Sequence, residues 1–300
     1  QSPEPVRTFS IGFSESMYNE AAAAAKISRH LGTNHTELYV TPEDAQRVID
    51  SLPQIYDEPF ADSSQIPTFL LCFQARKYLT VALSGDAGDE LFGGYNRYFW
   101  VRKIWNKISW LPPSTRKLFS KAIFSLPTYY WDIIYSIISR ILSPSKRLTF
   151  VGQKLHNLAE RLARIENEDD LFYNLISEWA QPEDIVINSS EPATILTNRK
   201  EWPALANIEN RMMYLDTMTY LPDDILSKID RASMSVSLET RVPFLSHHVV
   251  EFASSLPLSM KIKDGESKWI LRQLLDKYIP RELIERPKMG FGMPIDIWLR

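Results

Sequence analysis

One cysteine, Cys72, is all the chain contains, so no disulfide can form within it. That suits a reducing compartment, and a cytoplasmic location is the expectation. Charge of one sign is not in excess: 34 Lys and Arg against 37 Asp and Glu leave a formal net charge of −3. Bulk electrostatic attraction to nucleic acid is therefore not expected. No run reaches the roughly 18 apolar residues of a membrane-crossing helix. The nearest, residues 129–142, holds Asp132 and Arg140 and reads as a buried or amphipathic helix. Residues 1–5 lack the basic-then-apolar order of a signal peptide. There is no initiating methionine, and residues 297–300 read as part of a helix. Both ends look like cuts in a longer chain. No internal repeat or low-complexity tract is found. Two common nucleotide signatures, G-x-G-x-x-G and G-K-[ST], are absent, which disfavours Rossmann and Walker sites.

What is present is ordinary for a soluble globular protein: 44% hydrophobic and 24% charged residues. The 300 residues allow one large domain or two smaller ones and a substantial core. Residues 6–13 (VRTFSIGF), 36–40 and 80–83 (TVAL) read as strands. Between them, residues 15–31 form an alanine-rich helix closed by Gly32. Thr41 caps a second helix with Pro42 at its first position. A loop surrounds residues 57–60, and residues 66–78 form a third helix that contains Cys72. The alternation predicts an α/β fold, a parallel sheet covered by helices, with ligands beyond the carboxyl ends of the strands. The sheet starts mid-motif, because no strand and phosphate loop precede residue 6. From 95 to 211 the chain turns helical, aromatic and proline-interrupted, a large mainly helical remainder. The expected division is 1–95, 96–211 and 212–300. Residues 91–131 carry seven basic side chains and no acidic one. They read as solvated helix faces or a docking surface for the rest of the protein. Contact with an anionic substrate or a membrane surface is the alternative.

The sharpest motif is SGDAGDELFGGY at 84–95, directly after the third strand. Gly85 and Gly88 permit tight turns and close backbone approach. Free N–H groups there suit phosphate oxygens. Asp86, Asp89 and Glu90 are hard oxygen ligands fit for Mg²⁺ on a polyphosphate. The structural alternative is a helix start whose acids complement the dipole. In a second segment, 220–245, Asp224, Lys228 and Arg231 fall near one helix face as an ion-pair network. That reading is more structural than catalytic, and the chain is expected to leave helix before Pro243. In a third, Lys268 is placed one turn into a helix after a Gly-containing turn, where a lysine is either solvated or anchored toward an anion.

Together SGDAGDELFGGY, LPDDILSKIDRASMSVSLETRVPFL and GESKWILR strongly resemble the synthetase domain of the glutamine-hydrolysing asparagine synthetase family. The segments around 57–63, 66–68 and 9–13 match it too. The resemblance implies an ATP pyrophosphatase, adenine nucleotide α-hydrolase-like fold. It also implies a chemistry: a carboxylate, with aspartate first among acceptors, attacks the α-phosphorus of ATP to give an acyl-adenylate and pyrophosphate. Ammonia from a separate N-terminal glutaminase domain then forms the amide. By matching positions, Ile11 borders adenine through its backbone, and Ser84 and Gly85 contact ATP. Asp86 stands where the family commonly has a glutamate tied to adenylate formation. Asp89 matches the acid on Mg²⁺ and pyrophosphate, and Lys268 the lysine that stabilises the adenylation transition state. ATP and Mg²⁺ are the implied cofactors, and a homodimer is compatible.

The family's S-G-G-x-D-S loop and its N-terminal nucleophilic cysteine are absent from these residues. Alone they are expected to bind ATP poorly, to be nearly inactive and not to hydrolyse glutamine. Rival readings are amidation of another carboxylate, such as a sugar acid in surface polysaccharide synthesis, β-lactam synthetase-like ring closure, and a non-catalytic interaction scaffold.

Overall fold

The structure, a computed structural model, describes residues 4–15, 18–139, 150–177, 179, 182–285 and 292–298. It is a mostly helical α/β protein with small parallel sheets. The chain divides into two compact units, Gln1–Gly94 with Met213–Arg300, and Tyr95–Met212.

The first unit opens with β1 (Arg7–Phe13) and β2 (Asn34–Val40), paired in parallel from Arg7 opposite Asn34 to Phe13 opposite Val40. The helix between them, α1, spans Ala21–Leu31 and not 15–31. It starts late because the Asn19 carboxamide accepts the Ala21 N–H at 3.0 Å, which organises a turn outside the helix. It ends where expected, at Gly32 with φ 67°. In α2 (Pro42–Ile49) the Thr41 hydroxyl accepts the Asp44 N–H, and the Asp44 carboxylate accepts the Thr41 N–H at 3.1 Å. Two end donors are thereby satisfied reciprocally. There follow α3 (Leu52–Tyr56), α4 (Gln65–Arg76), β3 (Val81–Leu83) and α5 (Gly88–Phe92).

The intervening unit holds α6 (Asn96–Ile108), α7 (Pro113–Phe124), α8 (Thr128–Ile138), α9 (Val151–Arg164) and α10 (Glu168–Ile176). There α9 packs on both α7 and α8, and α10 on α6. The Arg102 guanidinium grips both Glu209 oxygens at 3.0 Å and Glu168 at 3.1 Å. Buried Arg116 donates to the Ile165 carbonyl at 2.7 Å. The helix α11 (Ile208–Met218) leads back to the first unit.

That unit then continues with a π-helical turn, Leu221–Leu226, and α12 (Ser227–Met234). Next come β4 (Glu239–Arg241), α13 (His247–Ser255), α14 (Leu258–Lys261), α15 (Trp269–Leu275) and α16 (Ile295–Trp298). The stretch before Pro243 is a strand, because Glu239–Arg241 pairs in parallel with Val81–Leu83.

Two strand pairs, β1–β2 and β3–β4, stand where one continuous sheet was expected. Among the described residues no strand hydrogen-bonds to both pairs, so the complete sheet of the anticipated fold is not seen. The face of α4 nevertheless serves both. Ile66 joins Ile11, Phe13 and Val40 in one core cluster. Cys72 and Ala75 pack with Leu238, Phe9 of β1 and Ala82 of β3 in another. Each buried Ile, Val, Leu or Phe side chain in these clusters stabilises by roughly 1.5–3 kcal/mol.

Candidate active site

The turn after β3 is built by local contacts. The Ser84 N–H extends the ladder by donating to the Arg241 carbonyl at 2.9 Å. Its hydroxyl donates to the Asp86 carboxylate. Ala87 takes a left-handed backbone at φ 66°, and α5 begins at once. That conformation costs an alanine roughly 1–2 kcal/mol, so the surrounding packing must hold it. Packing does so: Ala87, Leu91 and Phe92 are buried in a cluster with Leu221 and Ala253. Asp89 projects from the same short helix.

Lys268 is not one turn inside a helix. It is the residue before α15, with φ 54°. A tight turn with Asp264 at φ 51° and Gly265 at φ 85° precedes it, and the helical pattern starts only at Trp269. From there the Lys268 side chain reaches α5, with Nζ 3.1 Å from Asp89 Oδ2. Gly94 makes room for the pair, since a methyl group there would collide with both the Asp89 carboxylate and Lys268 Cε. Sequence reasoning assigned Gly94 no role. The Gly93-Gly94 dipeptide was visible, but only the fold shows which two side chains cross it.

The other anticipated residues are placed as follows. Ser84 and Asp86 flank Gly85, beside which a Cβ would meet nothing within 4 Å. Ile11 is buried in the β1–β2 core with Phe13, Val40 and Ile66. For a metal, Asp86 and Asp89 offer two carboxylates. No group of three or more His, Cys, Asp or Glu side chains among the described residues is arranged around a common point. That donor set fits Mg²⁺, which keeps waters and takes one or two carboxylates plus substrate phosphates, and not a closed protein cage. Ser84 also borders a cavity of about 570 Å³ walled by Phe92, Phe244, Val249, Phe252 and Leu274. Its apolar lining is wrong for a triphosphate.

The ion-pair network of the second motif is real but differently composed. The Lys228 ammonium, nearly buried, binds Asp62 closely and Asp224 at 3.5 Å. Burial pushes the Asp62 carboxyl up, but Lys228 and the Ser64 N–H and hydroxyl, each at 2.8 Å, outweigh it. Asp62 is held below the usual carboxylate range. Burial, then the Asp62 charge, pushes Asp224 above it. Arg231 leaves this cluster. Its Nη1 donates to the Tyr56 carbonyl at 2.7 Å and to Asp57 at 3.1 Å. These bonds fasten α12 to α3 and its following loop. Cys72 is buried in α4, and burial pushes its thiol up to about 12, so it is no thiolate nucleophile at neutral pH.

The family described as asparagine synthase matches residues 1–300. The asparagine synthetase (glutamine-hydrolyzing) 1 of Bacillus subtilis strain 168 is 29% identical over 295 residues, 98% of this chain and 43% of its own length. A Mycobacterium bovis protein named "Putative asparagine synthetase (glutamine-hydrolyzing)" is 30% identical over 293 residues, 98% of this chain and 42% of its own. The chain thus spans less than half the length of these relatives.

Proposed function

We propose a function from one premise: the chain belongs to the asparagine synthase family. It is the synthetase part of an ATP-dependent carbon–nitrogen ligase. An acceptor carboxylate oxygen attacks the α-phosphorus of ATP, the bond to the β-phosphate oxygen breaks, and pyrophosphate leaves. Ammonia then attacks the acyl carbon and loses a proton, and AMP departs with the former carboxylate oxygen. Aspartate is the first candidate acceptor, and glutamine hydrolysis elsewhere in the full-length protein is the proposed source of ammonia.

The observation that carries this reading is the contact between Lys268 Nζ and Asp89 Oδ2 at 3.1 Å, which joins two distant motifs at the end of a strand. There the lysine's charge faces the negative charge that builds on the phosphates, the kind of fixed electrostatic stabilisation that lowers a barrier most. Ser84 and the open backbone at Gly85 bind the nucleotide, and the Ile11 main chain borders the adenine. Asp86 and Asp89 are the residues that would hold Mg²⁺, which when bound neutralises phosphate charge. The Ser84 hydroxyl orients the Asp86 carboxylate, and Lys268 orients that of Asp89.

The test is a panel of carboxylic acids, sugar acids included, offered with ATP to the full-length protein while pyrophosphate release is read. One acid, with aspartate leading, should elicit AMP and pyrophosphate in equal amounts. ADP production with every active acid would overturn the proposal.

A further inference from the structure

The intervening unit carries a surface that the proposed reaction does not use. In α8 the side chains of Tyr129, Tyr130, Ile133, Ile134 and Ile137 share one face by i, i+4 spacing, and all five are exposed. Trp131 and Asp132 point the other way. The Trp131 indole donates to the Ile123 carbonyl at 3.0 Å, and Asp132 accepts the Gly152 N–H at 2.9 Å. The helix is therefore held with its most apolar face outward. On the preceding α7, Leu118, Phe119 and Phe124 are also exposed, Leu118 at 67%. Among the described residues of this unit, α9 packs against both helices yet leaves these faces open. Exposed apolar faces of this kind mark a binding surface.

Charge indicates what binds. Arg102 and Arg116 are engaged within the unit, and Lys117 pairs with Glu166 at 3.1 Å. Lys103, Lys107 and Lys121 are exposed and make no ion pair among the described residues. Asp132, the one acid in residues 91–138, faces inward. These three lysines leave the exposed surface of α6 and α7 basic. An anionic lipid surface complements them. Tyrosines beside isoleucines are suited to the boundary between headgroups and acyl chains. No described helix is long and apolar enough to cross a bilayer, so the contact is interfacial.

We propose that the α7–α8 hairpin docks on membranes, with the Tyr129–Ile137 face at the acyl boundary and Lys103, Lys107 and Lys121 on anionic phospholipid headgroups. The test is co-sedimentation of the full-length protein with phosphatidylcholine vesicles, with and without phosphatidylglycerol, at low and high salt. Binding should require phosphatidylglycerol and weaken with salt. Charge reversal by Lys103→Glu, Lys107→Glu and Lys121→Glu together should lower vesicle affinity at least about tenfold. The double change Ile133→Ser and Ile137→Ser should do the same. If the isoleucine variant unfolds, the lysine variant, which removes no packing, decides alone. Failure to pellet with anionic vesicles, or binding indifferent to the lysine variant, would overturn the proposal. So would a concentration-dependent dimer that these variants abolish, because a second copy would then occupy the face.

Discussion

Lys268 has a left-handed backbone, φ 54°, that any residue but glycine adopts at a cost of roughly 1–2 kcal/mol. The conformation aims the amine at Asp89. Backbone relief and loss of the amine can therefore be separated. Lys268→Gly should hold or raise the denaturant midpoint of the full-length protein while pyrophosphate release falls at least about a hundredfold, the scale of losing one fixed electrostatic group. Lys268→Ala should lose the same activity without the gain in midpoint. A variant that keeps its rate would remove Lys268 from the reaction. Gly94 belongs to the same argument. Gly94→Ala drives a methyl into Asp89 and Lys268 and should depress activity in the same assay, whereas Gly85→Ala meets open protein space and should fold normally.

At the scale of elements, α12 is fastened by charges and not by apolar packing alone. Lys228 is nearly buried between two carboxylates, so Lys228→Ala removes the cation both face and leaves Asp62 only its Ser64 hydrogen bonds. Denaturant unfolding should show a loss of about 1.5–3 kcal/mol, the range for hydrogen bonds to a charged group, because both carboxylates stay partly exposed. The pH dependence has a definite sign. Asp62 is depressed in the fold, so its contribution is complete above an unfolded value of about 3.9 and is lost as pH falls through its lower folded value. Asp224, raised in the fold, works in the opposite sense, losing its contribution as pH rises. Asp62→Asn should flatten the acid limb of a stability-versus-pH curve.

Local chemistry made some of these elements legible in the sequence. The Thr41-Pro42 start and the Gly32 stop depend on residues a few positions apart. Thr41→Ala should accordingly cost about 1 kcal/mol in thermal unfolding. The strand Glu239–Arg241 was not legible, because three residues without apolar alternation become a strand only by pairing with Val81–Leu83. The left-handed turn at Lys268 and the departure of Arg231 toward Tyr56 likewise depend on distant partners. Residues 129–142 read as a buried or amphipathic helix, but nothing in them told that Tyr129, Ile133 and Ile137 of α8 would face solvent.

Across the whole chain, the candidate site is assembled from ends of the sequence that a separate unit interrupts: α5 closes at Phe92, the chain leaves at Gly94, and it re-enters at Met213 before reaching Lys268. The resemblance assigned Asp89 and Lys268 to one reaction, and the coordinates bring the two side chains together. Ile11 could be named from resemblance alone, since a buried strand residue announces nothing about its main chain. The net charge of −3 averages out the basic stretch at 91–131, which only the local distribution of charge along the chain reveals. The most direct test follows one oxygen atom. With an acceptor labelled with ¹⁸O in its carboxylate, the full-length protein should deliver the label to AMP and none to pyrophosphate. Label recovered in orthophosphate, with ADP as the nucleotide product, would contradict attack at the α-phosphorus.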